Sequence, residues 1–183
     1  LVLKSHKRIS IIFSILAVLS SSCDEAEYKL DNSSDPLNLG LTPPAIFFHR
    51  SNYTLSVNDT FSVELYSYGL PDVSGAFLQV LYDRGSLVVD SVITDSLFQI
   101  ESPPIIFSDQ VPDTDGELNI YIFALPTMYT ENVSGTNSMA KVFFRVFAPR
   151  ISELEYSDST TIVNAQNNPI MIKSYGKAFV DAK

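Results

Sequence analysis

One cysteine, two histidines and no tryptophan stand among the 183 residues. Cys23, His6 and His49 are too few for a Cys/His zinc site or a disulfide framework, and they leave little for nucleophile–base chemistry. Positive charge is also scarce. Twelve Lys and Arg face 21 Asp and Glu, for a net charge of −9. Three of those cations (Lys4, Lys7, Arg8) sit in the first eight residues, and without them the chain carries −12. Phosphate binding needs clustered Lys and Arg, so nucleic acid is a poor partner. The apolar run Ile9 to Leu19 spans only 11 residues and is broken by Ser10 and Ser14. It is too short to cross a bilayer as a permanent helix. What remains is a globular mixture, 45% hydrophobic and 18% charged with ten Pro and seven Gly, sized for one domain plus extensions.

The basic flank and short apolar run fit a secretory leader. Ser20-Ser21-Ser22-Cys23 follows, and the whole resembles a bacterial lipoprotein signal, in which the Cys is acylated and becomes the first mature residue. That pattern usually has Leu three places before the Cys; here Ser20 stands there and Leu19 is four before. Residues 1–22 are accordingly read as a lipoprotein signal peptide and Cys23 as the lipidation site. The alternative is a secreted protein with a free thiol. Residues 23–44 read as an acidic flexible tether: five acids oppose one Lys, and Pro36, Pro43 and Pro44 block regular structure. Acid next to the Cys resembles the surface-export signal of Bacteroidota lipoproteins. In other Gram-negative bacteria Asp24 would resemble an inner-membrane retention signal. Either way the expected location is the cell envelope, lipid-anchored, with the outer membrane favoured.

Residues 45–183 read as all-β. Short runs rich in Val, Ile, Phe, Tyr and Thr are broken by Gly, Pro, Asn and Asp about every ten residues. The spacing predicts strands at 45–50, 53–57, 60–68, 75–82, 87–93, 105–108, 117–125, 140–148, 151–156, 161–164, 170–173 and 178–180. Turn signals separate them, among them Asn58-Asp59, Pro71-Asp72, Asp83-Arg84-Gly85 and Asn167-Asn168-Pro169. Period-two alternation assigns faces. Phe61, Val63 and Leu65 share one face, as do Val142, Phe144 and Val146. Strands 75–82 and 117–125 carry apolar residues on both faces, so either both are covered or one is an exposed binding face.

In order, VNDTFSVEL (57–65), GAFLQVLYDRGSLVVDSV (75–92), DGELNIYIF (115–123), MAKVFFRVFA (139–148) and a closing GKAFV (176–180) resemble a cohesin domain, the scaffoldin module that binds dockerins. Tyr82-Asp83 followed by Leu87-Val88-Val89 is the most specific piece. The resemblance implies a nine-stranded jelly-roll β-sandwich over 45–183, with no catalysis and no cofactor or metal of its own. Any calcium is expected on the partner. It also implies a binding sheet made of the third, fifth, sixth and eighth strands. The polar contacts of better-known cohesins fall near Gly75 and Phe77, and the expected Asp is absent there. Phe77, Gln79 and Leu81, with Asn119, Tyr121 and Phe123, take its place as the expected partner-binding residues. Tyr82 is expected to bury its ring and hydrogen-bond its hydroxyl, and Asp83 to accept amides of the following turn.

Other signals weigh less. Asp113-Thr114-Asp115-Gly116-Glu117 resembles half a calcium loop but reads as a turn, since no distant bidentate Glu follows at the right spacing. His49, flanked by Ile46-Phe47-Phe48, reads as structural. Asp90-Ser91-Val92, Asp95-Ser96-Leu97 and Asp158-Ser159-Thr160 resemble Bacteroidota O-glycosylation sites. The leading expectation is a lipid-anchored, non-catalytic module that holds a protein partner, dockerin-bearing or related, at the envelope, in the setting of polysaccharide-degrading assemblies. The alternatives are a carbohydrate-binding module, which nine Tyr could serve despite the lack of Trp, and a structural lipoprotein without a ligand.

Overall fold

Alternating strands bury one face each, and two such faces packed together make a sandwich. A computed structural model of the chain describes residues 35–98, 103–109, 111–124 and 133–183 and shows this architecture. The leader, Cys23 and the first part of the tether lie outside the described residues. Thirteen strand segments are described: β1 (Ala45–His49), β2 (Asn52–Leu55), β3 (Thr60–Tyr68), β4 (Leu70–Leu81), β5 (Leu87–Thr94), β6 (Ile105–Ser108), β7 (Glu117–Phe123), β8 (Val133–Gly135), β9 (Ser138–Val146), β10 (Ile151–Tyr156), β11 (Thr161–Asn164), β12 (Ser174–Tyr175) and β13 (Ala178–Ala182). One sheet has the order β12-β1-β3-β9-β5. The other runs β2-β13-β10-β4-β7-β6, with β8 and β11 also paired to β4.

The segment count and the nine implied strands measure different things. The chain leaves the first sheet after β1 and enters the second as β2, and it repeats that change between β12 and β13. β1 pairs with β12 in parallel, and β2 with β13 in parallel, so the two crossings travel together. β10 and β11 lie end to end along one edge of β4, and β7 and β8 along the other.

The core fills the space between the sheets. Phe48, Leu65, Leu78, Ile120 and Phe144 are fully buried. Phe48 stacks on Tyr156 at 4.4 Å and Phe61 on Phe144 at 5.4 Å, while Tyr82 meets Phe144 edge-on at 5.8 Å. Two polar ties cross the core. Tyr156 on β10 donates its hydroxyl to the Phe47 carbonyl on β1 at 3.2 Å, and complete burial pushes that hydroxyl's pKa far up. The buried hydroxyls of Ser86 and Ser152 share a hydrogen bond.

Three local readings change. Pro71-Asp72 is a bulge within β4 instead of a turn before it: the register against β8 shifts between Leu70 and Val73, and Asp72 sits at φ 48°. Residues 170–173 form no strand. Their amides are used singly, Ile170 to the Ile162 carbonyl at 2.8 Å and Lys173 to that of Pro44 at 2.8 Å, and pairing resumes only at Ser174. β8 leaves no periodic trace in the sequence, because Val133 is its one buried apolar residue. The end of the acidic segment also docks on the body, since Thr42 donates its amide to Ser174 Oγ at 3.0 Å.

Gly176 decides how β12 seats. A Cβ there would lie 2.5 Å from Phe47 Cβ and 3.2 Å from Phe47 Cα, both fixed parts of β1. Gly176→Ala is expected to cost about 1–3 kcal/mol, the usual toll of overpacking. A lower denaturant midpoint with an unchanged slope would show it; an unaltered midpoint would mean that β12 contributes nothing to stability.

Candidate partner-binding face

β4 occupies the middle of its sheet, with β7 and then β6 on one side and β10 and β11 on the other. Ala76, Leu78 and Val80 on β4, and Leu118, Ile120 and Ile122 on β7, point into the core. The two-residue period therefore turns Phe77, Gln79, Leu81, Asn119, Tyr121 and Phe123 outward, and all six lie on one face.

The pairing arranges them in rows across the sheet. One row reads Val163, Gly75, Phe123 and Ile105; the next reads Thr161, Phe77, Tyr121 and Phe107. Phe77 stacks on Tyr121 with ring centres 4.8 Å apart, a contact worth about 0.5–1.5 kcal/mol beyond its buried area. Tyr121 keeps 41% of its surface exposed, Phe123 45% and Phe107 60%. Gly75 leaves a shallow depression of about 180 Å³ between Phe77, Tyr121, Phe123 and Val163.

The remaining rows are polar. Gln79 donates its side-chain amide to Asn119 Oδ1 at 2.9 Å. Thr160 Oγ1 takes the Gln79 amide at 3.1 Å and donates to its carbonyl at 3.3 Å. Asp109 Oδ2 accepts the Asn119 amide at 2.7 Å. The last row sets Leu81 between Glu155 and Glu117. Lys177 reaches Glu153 at 2.7 Å and Glu155 at 2.8 Å, and those two hydrogen bonds raise the pKa of its ammonium. The face thus grades from aromatic to acidic.

The opposite sheet looks different from outside. Lys141 lies 3.1 Å from Glu64 and 3.7 Å from Asp95, and Arg145 binds Asp90 through two nitrogens at 2.9 and 3.1 Å. Half-exposed pairs like these add little stability but keep a surface wet. The aromatic rows give the β4–β7–β6 surface exposed apolar area of the kind that interface cores contain. Ile105, Phe107 and Val163 were not among the predicted residues. Ile105-Ile106-Phe107 is apolar at every position, so alternation assigns it no face.

The turn at 113–117 uses its own carboxylates. Asp113 Oδ1 accepts the Asp115 amide at 3.1 Å, and Asp115 Oδ1 accepts that of Glu117 at 3.0 Å. Asp83 behaves as expected, accepting the Gly85 amide at 2.7 Å. Tyr82 does not: its ring is buried, but its hydroxyl and Asp113 Oδ2 are both buried without a hydrogen bond of normal geometry. Burial, with the nearby Asp113 and Asp115 charges, pushes the Tyr82 hydroxyl up. Burial, helped by the Asp115 charge, likewise raises the Asp113 carboxyl above its ordinary value.

No protein-family model and no curated protein matches the sequence. Solved structures do. A non-cellulosomal cohesin from the archaeon Archaeoglobus fulgidus aligns with a TM-score of 0.59 at 17% identity, over 76% of this chain and 90% of that one. A type II cohesin domain from the cellulosome of Acetivibrio cellulolyticus aligns at 0.62 and 15%, over 74% and 94%. The sixth cohesin of scaffoldin B from the same organism, solved in complex with a mutant Cel5 dockerin, aligns at 0.60 and 20%, over 76% and 98%. The chain has the cohesin fold, as its strand order implied.

Asp113 supplies a test of the buried turn. Its folded pKa is raised, so its contribution to stability is fully present below the unfolded carboxylate range and lost as pH rises through the folded value. Asp113→Asn should therefore raise the melting temperature at neutral pH, with the gain shrinking to nothing in acid. A gain that persists at low pH would contradict this reading.

Proposed function

We propose that this chain is a non-catalytic interaction module that binds a dockerin-type protein through the outward face of β4, β7, β6 and β11. The observation that carries the reading is the set of exposed aromatics Tyr121, Phe123 and Phe107, with part-buried Phe77 stacked beside Tyr121, gathered in adjacent rows of one sheet. Interface cores favour such residues, and a rim of polar groups such as Gln79, Asn119, Glu117 and Glu155 fits around them. The cohesin fold supports the choice of partner, since solved relatives of that fold are described in complex with dockerins. Aromatic rows where an Asp was expected favour a partner whose contact is apolar, such as an amphipathic helix laid across the strands.

In the same reading Cys23 is acylated and residues 24–34 hold the domain off a bacterial membrane, within an assembly that degrades polysaccharide. The basic leader and the Ser-Ser-Ser-Cys sequence support this. Two or more acyl chains suffice for stable anchoring.

Two outcomes are expected. Tyr121→Ala with Phe107→Ala removes exposed rings, so melting should stay cooperative and fall by no more than about 1–2 kcal/mol. Capture from a panel of purified dockerins, with and without calcium, should weaken at least about tenfold, the level of a lost hot spot. If the folded wild-type domain retains no dockerin, the partner assignment fails. Separately, Cys23→Ser should abolish incorporation of labelled fatty acid and move the protein to the soluble fraction; unchanged membrane association would remove the anchor.

A further inference from the structure

At the corner where the chain passes from β1 into β2, His49, Arg50, Tyr53, Phe61, Ser62 and Glu64 line a hollow of about 390 Å³. That size lies within the range of small-ligand sites, about 300–1,000 Å³. Its walls are held by the fold. His49, the last residue of β1, stands opposite Glu64 on β3. The Tyr53 ring packs on Phe61 at 5.0 Å. The Tyr53 hydroxyl accepts the Arg50 amide at 2.9 Å and donates to the His49 carbonyl at 3.2 Å.

The charges around the hollow are arranged asymmetrically. Arg50 is exposed and makes no ion pair among the described residues, in a chain whose net charge is −9. Burial raises the pKa of the part-buried Tyr53 hydroxyl, and the neighbouring Arg50 amide and charge oppose that rise. On the facing wall Glu64 is held by Lys141 at 3.1 Å, and that lysine is shared with Asp95 at 3.7 Å. The Ser62 side chain has no partner among the described residues. The hollow therefore offers one uncommitted guanidinium, a carboxylate and a hydroxyl opposite it, and an aromatic flank.

We propose that this hollow binds a hexuronate unit of an acidic polysaccharide, with the sugar carboxylate on Arg50 and ring hydroxyls toward Glu64 and Ser62. A planar guanidinium matches a carboxylate through two hydrogen bonds. A neutral sugar leaves Arg50 unanswered. Glu64 is already paired with Lys141, so Arg50 is the one uncommitted cation lining the hollow, and it matches a single carboxylate better than a phosphate dianion. A monoanion whose other end carries hydroxyls satisfies both walls, with its carboxylate on Arg50 and its hydroxyls donating to the Glu64 carboxylate, which Lys141 holds in place. The Tyr53 ring supplies apolar surface for the C–H face of the sugar, with Phe61 packed behind it in the core. The hollow belongs to the β1–β3 corner, whereas the β6 edge of the candidate face lies at the far end of the second sheet from β2, so glycan and protein partner occupy different surfaces.

The test is an amide-shift titration of the folded protein with D-glucuronate and D-galacturonate, with glucose, acetate and inorganic phosphate as comparison probes. Saturable shifts should centre on residues 49–53 and 61–64, with glucose and acetate each at least about tenfold weaker, the loss expected for one charge-assisted contact or its hydroxyl counterparts. Arg50→Gln keeps the main-chain amide bonded to Tyr53, so it should leave melting unchanged and weaken uronate about tenfold or more. Ser62→Ala should weaken it by a smaller factor. Phe107→Ala, on the candidate face, should leave it intact. Absence of saturable shifts, phosphate or acetate matching uronate, glucose matching uronate, or Arg50→Gln without effect would each overturn the proposal.

Discussion

A strand that buries alternate side chains must present the others, and β4 is where this constraint shapes the molecule most. Leu78 and Val80 are fully buried against the facing sheet, so Phe77, Gln79 and Leu81 have no other place than outside. Because β4 is central, its neighbours inherit the same register. Tyr121 and then Phe107 fall beside Phe77, and Phe123 and Ile105 fall beside Gly75. The candidate face is thus the reverse side of the core, and neither can shift by one residue without inverting the other.

The two sheets are tied as well as packed. The paired passage of β1 into β2 and of β12 into β13 closes one side of the sandwich with continuous backbone. Tyr156 pins the Phe47 carbonyl from the second sheet to the first, and the Ser86–Ser152 pair does the same elsewhere in the core. Buried hydroxyls that find partners specify one arrangement of layers, which apolar contacts alone do less strictly. The β1–β2 corner also makes a hollow possible, since a strand that changes sheets leaves a gap in the first one.

Much of this was legible in residue order. Alternation placed Phe61, Val63 and Leu65 inside, because burial on one face leaves a periodic trace, whereas strands 75–82 and 117–125 are apolar on both faces and the outward place of Phe77 and Tyr121 came with the cohesin resemblance. Where the trace is short or broken, reading fails for a physical reason. Pro71-Asp72 carries turn chemistry, yet a bulge uses the same positive-φ residue within a strand. β12 has only two residues and is held by its parallel neighbour, which no local pattern records. Phe107 joins the aromatic rows through the lateral pairing of β6 with β7, a long-range fact without a local signature. The Tyr82 hydroxyl was expected to find a partner because its ring belonged inside, but ring burial and hydroxyl satisfaction are separate requirements.

The parallel pairing of β1 with β12 and of β2 with β13 also has a mechanical side. β1 enters the domain at Ala45 beside Ser174, and the chain's last pairing sets Ala182 beside Leu55. Tension applied between residue 45 and the far end at Lys183 acts along these strands. The hydrogen bonds of β1 with β12 and of β2 with β13 are then sheared together instead of being peeled one at a time. A domain held at its first strand and pulled from its last resists extension through its whole terminal seam.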